Sequence, residues 1–424
     1  INNPMQNKKI LAVLAVALTA SILNPAAARP TMGRGKRLET GNVSTPDRQS
    51  REQQGATKFS IDFFKTVMEE NAKSGGEKNV VVSPFSLYEV LSMVANGAAG
   101  GTREKMAELL GVKPDQLEKL NEHNKANLAL LNQNKSVELA VANAIYADNR
   151  SPFKKSFTNL CHDYYQAEVE NLDFTDEKVL VKINDWCKSK TRGKIAKILD
   201  KLSPLEKMVL LNSVYFKGKW DEPFEKNLNT KEPFNTISGA SKTVTMMHRE
   251  DNMPYLKGKG FAAVSLKYAG LNQELLIFLP DKDQNLKAFT QQLTGENFAD
   301  WQKQLAGKKV ALSLPKFTIN YGRDLSSSLK AMGIADAFSA TADFSNLIQP
   351  PAGACISRVV QKTFIDVNEE GTEAAAVTAG VMGLTSCAMP VEPVQFKVDR
   401  PFMLALMDSK TGEVLFLGSI GEPK

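Results

Sequence analysis

Only three of the 424 residues are histidines (His123, His162 and His248) and only four are cysteines (Cys161, Cys187, Cys355 and Cys387). The cysteines lie far apart, with no CxxC pair and no histidine at ligand spacing, so neither a zinc site nor a disulfide framework can be read from them. No serine occupies a GxSxG elbow, and no HExxH, P-loop or dinucleotide fingerprint occurs. A Ser–His–Asp triad built from distant residues would need one of three histidines with nothing to single it out. The protein is therefore not expected to be an enzyme, and no cofactor or metal is expected. Surplus charge is also scarce. The 53 Lys and Arg and 47 Asp and Glu leave a net +6, mixed along the chain. No basic stripe is interleaved with aromatics, so the surplus reads as solvated surface and no nucleic-acid partner is expected.

Long apolar runs are missing too. The clearest, Ile10 to Leu23, is short of the roughly 20 residues that span a bilayer. It follows Lys8 and Lys9 and leads into Pro25-Ala26-Ala27-Ala28, the basic, apolar, small-residue order of a secretory signal cleaved after Ala28. Residues 1–28 are expected to be a signal peptide, with the four residues ahead of Met5 read as an artefact. No cysteine follows for lipid attachment. The expected product is secreted or periplasmic, with no membrane partner. Residues 29–54 are polar and aperiodic, as in a flexible leader. Beyond Thr57 neither a linker nor a repeat appears, so 55–424 is expected to form one domain. That is large for one core and points to an extended sheet with helices packed around it.

What is present fits an α+β fold. Phe59, Phe63, Phe64 and Val67, and Leu87, Val90, Leu91 and Val94 after Ser83-Pro84, fall at helical spacing. Helices also read over 102–110, with Thr102 as cap and Gly111 as stop, over 115–132, and over 178–199. Strand runs cover 137–147, 208–216, 274–279, 309–314 and 414–420. Helices crowd the first half and strands the second, against a regular βαβ alternation and for a large, mostly antiparallel sheet.

The most informative stretch runs from Asn368 to Cys387. A strand-like run, Thr363 to Val367, gives way to residues dominated by Ala, Gly, Thr and Val, ending in Met389-Pro390-Val391-Glu392-Pro393. Small side chains offer no anchor for a core, and the charges are too few for a well-solvated tail. In extended chain Thr372, Ala374, Ala376 and Thr378 share one face, with Glu373 on the other. Such a segment is either a plain surface loop or a loop that can become a strand in a crowded sheet.

This stretch resembles the hinge and reactive-centre loop of inhibitory serpins, and other motifs of that family follow in order. They are Asn79-Val80-Val81-Val82-Ser83-Pro84-Phe85-Ser86, Asn96 to Thr102, Ile183-Asn184-Asp185-Trp186, Leu211 to Trp220, Leu314-Pro315-Lys316-Phe317, Asp399-Arg400-Pro401-Phe402 and Phe416-Leu417-Gly418. The match covers roughly residues 56–424. With the export signal it resembles an exported bacterial member. The resemblance implies a large central, mostly antiparallel sheet with two further sheets, eight or nine helices and an exposed loop over about 371–395.

It also implies a monomeric suicide-substrate inhibitor whose partner is a target serine protease. The cleaved loop would insert as a new strand and trap the covalent acyl complex. The alternative is a non-inhibitory carrier or chaperone on the same fold, which bulky or charged hinge residues would favour; none are present. By position, Glu369, Gly371, Thr372, Glu373, Ala374, Ala375, Ala376 and Thr378 match the hinge. Ser83, Ser86, Asn212 and Gln361 match the shutter where the sheet opens, Gln361 standing where many relatives carry His. Trp220, Lys316 and Glu369 match the breach where the loop enters, with a Lys316–Glu369 ion pair expected. Plain sheet support is the alternative role for each shutter and breach residue. The family's spacing from Gly371 places the scissile bond between Thr385 and Ser386, with Leu384 and Met382 as alternatives. No Lys or Arg occurs between Gly371 and Lys397. The bait therefore suits elastase-like or subtilisin-like proteases, or chymotrypsin-like ones at Leu384 or Met382, and not trypsin-like ones.

Overall fold

The apolar periodicities of the first half become helices, and the strand runs of the second half become two sheets. The computed structural model describes residues 51–133, 136–270, 272–350, 353–371 and 392–424. Nine α-helical segments occur among the described residues: α1 (Arg51–Lys73), α2 (Pro84–Gly97), α3 (Gly100–Leu109), α4 (Leu117–Leu131), α5 (Lys155–Tyr165), α6 (Lys178–Lys190), α7 (Leu286–Gln291), α8 (Gly295–Gln304) and α9 (Ser326–Leu329). The fourteen strands among the described residues are β1 (Asn79–Val82), β2 (Val137–Asp148), β3 (Glu168–Leu172), β4 (Met208–Gly218), β5 (Thr230–Asn235), β6 (Ser241–Gly258), β7 (Phe261–Lys267), β8 (Gln273–Pro280), β9 (Ala306–Pro315), β10 (Phe317–Asp324), β11 (Ile356–Val367), β12 (Val394–Lys397), β13 (Phe402–Asp408) and β14 (Val414–Ile420). The expected signal peptide and most of the leader lie outside the described residues. Helix α1 starts at Arg51, inside the expected leader, where Arg, Glu and Gln favour helix and no Gly or Pro intervenes until Gly55.

The α+β class is as expected, and the sheets differ from the expectation in two ways. One sheet has five strands in the order β10-β11-β4-β2-β3. Its β10–β11 and β4–β2 pairings are antiparallel, but β11–β4 and β2–β3 are parallel, so the sheet is mixed. The other sheets expected are joined as one nine-stranded sheet, β1-β14-β13-β8-β7-β6-β9-β12 with β5 on β6. The join is the 18-residue β6, which pairs with β5 over Ser241–Met246, with β9 over Met246–Tyr255 and with β7 over Tyr255–Gly258.

Two helix ends also moved. Thr102 lies inside α3 and does not cap it; its hydroxyl accepts from the Asp343 N–H at 2.9 Å. Helix α6 stops at Lys190, well short of 199, because Arg192 and Gly193 adopt left-handed backbone at φ 51° and 78°. Helix α2 buries every residue except Asn96 beneath the five-stranded sheet, opened by Pro84 and capped by Ser83. On the opposite face Ile183, Trp186 and Cys187 of α6, with Ile195, Ile198 and Leu199, pack on Ala142, Ala144, Val209, Leu211 and Val360. Among the described residues no helix is long and apolar enough to cross a membrane.

Candidate functional site

The β4–β11 pair is the distinctive feature of the five-stranded sheet. Two parallel neighbours, flanked by antiparallel strands, would become regular antiparallel partners if one strand running the other way entered between them. Along β11 the odd positions Gln361, Thr363, Ile365 and Val367 are buried, while Lys362, Phe364 and Asp366 are half-buried. The inner face therefore belongs to the core and the outer face lies toward α6.

At the centre of the pair Gln361 stands opposite Asn212. Its Nε2 donates to Asn212 Oδ1 at 2.6 Å and to the Ser83 carbonyl at 2.8 Å, and its Oε1 accepts from the Ser83 N–H at 2.9 Å. Asn212 Nδ2 donates to Asn143 Oδ1 at 2.6 Å and to Ser86 Oγ. Ser83 Oγ donates to the Leu415 carbonyl at 2.6 Å. All four expected shutter residues thus meet in one buried network, and Gln361 fills its place with both donor and acceptor in use. Sequence reasoning missed three participants. Asn143 of β2 links Asn212 to Glu89 of α2 (3.3 Å), and Thr363 ties β11 to the Val81 carbonyl (2.7 Å). The signal was available: Asn143 interrupts an apolar strand, and Glu89 is the single charge in a helix that is otherwise apolar or weakly polar.

At one end of the pair the chain turns back. After β11, Asn368 and Gly371 pair with each other, and Gly371 also pairs antiparallel with Lys219 just beyond β4. Gly371 sits at φ 113°, and a Cβ there would come within 2.3 Å of the Gly218 carbonyl oxygen, so only glycine fits. Trp220 Nε1 donates to the Asn368 carbonyl (2.9 Å), and its ring stacks on Tyr268 at 4.3 Å. Lys316 and Glu369 form the expected ion pair at 2.9 Å, and Asn229 donates to the other Glu369 oxygen at 2.6 Å. Burial opposes ionisation of Glu369, but the bonds from Lys316, its own backbone N–H and Asn229 outweigh it and hold the carboxyl below its usual range. The hinge residues Thr372 to Thr378, the bait residues Met382, Leu384, Thr385 and Ser386, and Cys387 lie outside the described residues.

One Ser–His–Glu alignment does form. His248 Nδ1 meets Ser313 Oγ at 3.0 Å, while Nε2 lies 3.1 Å from Glu232 and 2.7 Å from Thr230 Oγ1. Ser313 pairs with strands on both sides, β6 and β12, so the backbone N–H groups around it are engaged in ladders and none is free to polarise a carbonyl. Glu232 is also bound by Lys397 at 2.6 Å. The alignment is a cross-strand polar contact on the sheet surface.

Comparison with known proteins agrees with this geometry. The family model described as Serpin (serine protease inhibitor) matches residues 54–423. The chain is 36% identical over 384 residues to Serpin B6 of Macaca fascicularis, covering 86% of this chain and 97% of that one. It is 33% identical to the leukocyte elastase inhibitor of Bos taurus, covering 87% and 98%. Among solved structures, Tengpin, a thermophilic serpin in its native state, superposes with a TM-score of 0.81 at 32% identity, covering 90% of this chain and 96% of that one. Thyroxine-binding globulin complexed with thyroxine superposes at 0.79 and 26% identity, covering 88% and 100%. With the parallel pair, the amide network and the glycine turn all in place, the chain belongs to the serpin family.

Proposed function

We propose that this protein inhibits serine proteases as a suicide substrate, the segment after Gly371 entering between β4 and β11 once it is cut. The observation that carries the reading is the double pairing of Gly371. The numbers of Asn368 and Lys219, its two partners, differ by 149, and so do those of Gln361 and Asn212 across the ladder. A strand continued from Gly371 therefore needs no slippage between β4 and β11. In that register Thr372, Ala374, Ala376 and Thr378 come opposite Val367, Ile365, Thr363 and Gln361, all on the buried face. Glu373 comes opposite Asp366, on the outer face. The small residues fall where space is tight and the charge where water is near.

In the proposed reaction the protease's serine oxygen attacks the Thr385 carbonyl carbon. An ester forms, the Thr385–Ser386 bond breaks, and the Ser386 amine leaves with the proton returned by the protease's histidine. Insertion then carries the ester-linked protease away before water reaches it. Each new backbone hydrogen bond contributes about 0.5–1.5 kcal/mol, so a dozen inserted residues supply on the order of ten kcal/mol before packing is counted. The reactive loop spans about 371–395, and the favoured targets are elastase-like or subtilisin-like, with chymotrypsin-like enzymes next. The protein acts as an exported monomer; its amino-terminal signal pattern supports export.

Incubation with elastase, chymotrypsin and trypsin followed by a denaturing gel tests this. An SDS-stable adduct with the elastase-like enzyme is expected. Clean cleavage without adduct across a broad panel leaves only the carrier or chaperone reading.

A further inference from the structure

Glu89 is a carboxyl buried beneath the sheet, 1% exposed in a helix buried on nearly every side. Its Oε2 accepts from Asn143 Nδ2 at 3.3 Å, and its Oε1 has no hydrogen-bond partner. Among the described residues no cation is placed against it. The titratable groups facing it are Glu413, from the turn before β14, and Tyr165 of α5, with Cys161 behind the tyrosine. His123 of α4 lies 3.9 Å from Glu413 Oε1, and Asn127 donates to that same oxygen at 2.7 Å, so α4 meets Glu413 and not Glu89. From β2 and β4 the nearby polar groups are the neutral amides of Asn143 and Asn212. Burial, and then the charge of Glu413, push the Glu89 carboxyl well above its usual range, with the Asn143 bond a partial offset.

Asn143 is where this carboxyl reaches the slot. Its Nδ2 faces Glu89, and its Oδ1 accepts from Asn212 Nδ2 at 2.6 Å and from Ser86 Oγ at 3.1 Å. A primary amide presents a donor at one end and an acceptor at the other, so whatever holds one end dictates the other. An accepting carboxyl oxygen takes the NH2 end and leaves the carbonyl toward Asn212. The reverse orientation would set two NH2 groups against each other beneath β4.

We infer that Glu89 is a positioning residue for the slot: by accepting from Asn143 it fixes that amide with its oxygen toward Asn212, and so sets how readily β4 parts from β11. The inference rests on the insertion reading above. Loss of the Glu89 proton places a charge in a dry site beside Glu413, and opening that admits water relieves it. Because the folded carboxyl holds its proton above the usual range, its stabilisation is complete below that range and is lost as pH rises through the folded value. Slot opening should therefore become easier with rising pH.

Hydrogen exchange of the β4 amides, corrected for intrinsic exchange, reads this opening from about pH 5 to pH 8. The parent should open several-fold more often at the upper end. Glu89→Gln, an isostere of the neutral acid, should flatten that profile. Asn143→Ala should open more at every pH while keeping a pH dependence, since burial and Glu413 still act on the carboxyl. If Glu89→Gln keeps the parent's pH profile, or Asn143→Ala opens no more than the parent, the assignment is overturned. The readout needs no protease, so a failed covalent complex would sink the inhibitory reading without deciding this one.

Discussion

The β4–β11 pair is closed by different chemistry at its end and at its centre. Around Gly371 the contacts are ionic and partly wet: Lys316 is 45% exposed while holding Glu369. At Gln361 and Asn212 every group is buried and neutral, and each amide is used at both ends. At the end Gly371 lies past β11 and pairs with Lys219 in antiparallel register, so an entering strand would find its first pairing made. The centre has no such wedge, and its bonds cross the line that an entering strand would follow. Exposed ion pairs are weak and easily exchanged for water, whereas buried amides are costly to orphan. Insertion should therefore begin at the end and be governed by the centre.

The harshest test fills the slot with something that cannot enter. Thr372 is the first residue past the wedge, and in the extrapolated register it meets buried Val367. Thr372→Arg would bring an unpaired cation into the core, a cost of about 3–5 kcal/mol. Cleavage should persist while trapping is lost, turning inhibitor into substrate. Glu373→Arg should be tolerated because that side points to water. Stoichiometry of inhibition for both variants separates the outcomes; equal behaviour would break the assignment of faces. Cutting the loop near Thr385 in the parent should raise the thermal midpoint, and an unchanged midpoint would remove insertion altogether.

The centre comes next. Gln361→Leu would orphan the Ser83 N–H and remove partners from the Ser83 carbonyl and Asn212 Oδ1. We expect a loss of about 3 kcal/mol, read from the denaturant midpoint. A change below about 1 kcal/mol would mean that the network does not hold the pair together.

Most of this site was legible because it is written in residues that sit badly where the pattern puts them. Gln361 and Asn212 are amides in strands otherwise built for a core, and Gly371 separates two acidic residues from a run of alanine and threonine. Register was not legible, since a period of two cannot tell which neighbour a strand chooses; the parallel β4–β11 pairing is a tertiary fact. The full length of β6 was not legible for a related reason. Its exposed half carries Lys, Thr, His, Arg, Glu and Asp, so it lacks the apolar alternation that marks a half-buried strand. Glu89 was passed over because helical spacing drew attention to the apolar residues on either side of it.

Gly371→Ala tests the wedge itself. The left-handed φ and the clash with the Gly218 carbonyl together cost about 1–3 kcal/mol unless the turn shifts. The Trp220 ring, bonded to Asn368 and stacked on Tyr268, should report any shift as a change in emission. Unchanged fluorescence and stability would mean that the close approach is dispensable.

The smallest effect belongs to the ion pair, and it separates the two regions by sign. Lys316→Met should cost about 1 kcal/mol, and the cost should shrink in high salt, because the lysine end of the pair is 45% exposed even though Glu369 is buried. Glu369 titrates below its usual range when folded, so its contribution is present above the unfolded value and lost as pH falls through the folded one. Removing Lys316 takes away part of that lowering, so parent and variant should differ most near neutrality and converge in acid. Glu89 behaves oppositely, being settled in acid and strained as pH rises. Acid should therefore loosen the Gly371 end and base the Gln361 centre. Exchange rates of β11 amides near Val367 and near Gln361, followed across pH in the parent and in Lys316→Met, should move in opposite directions. If both segments respond alike, the slot opens as one unit and the division between end and centre fails.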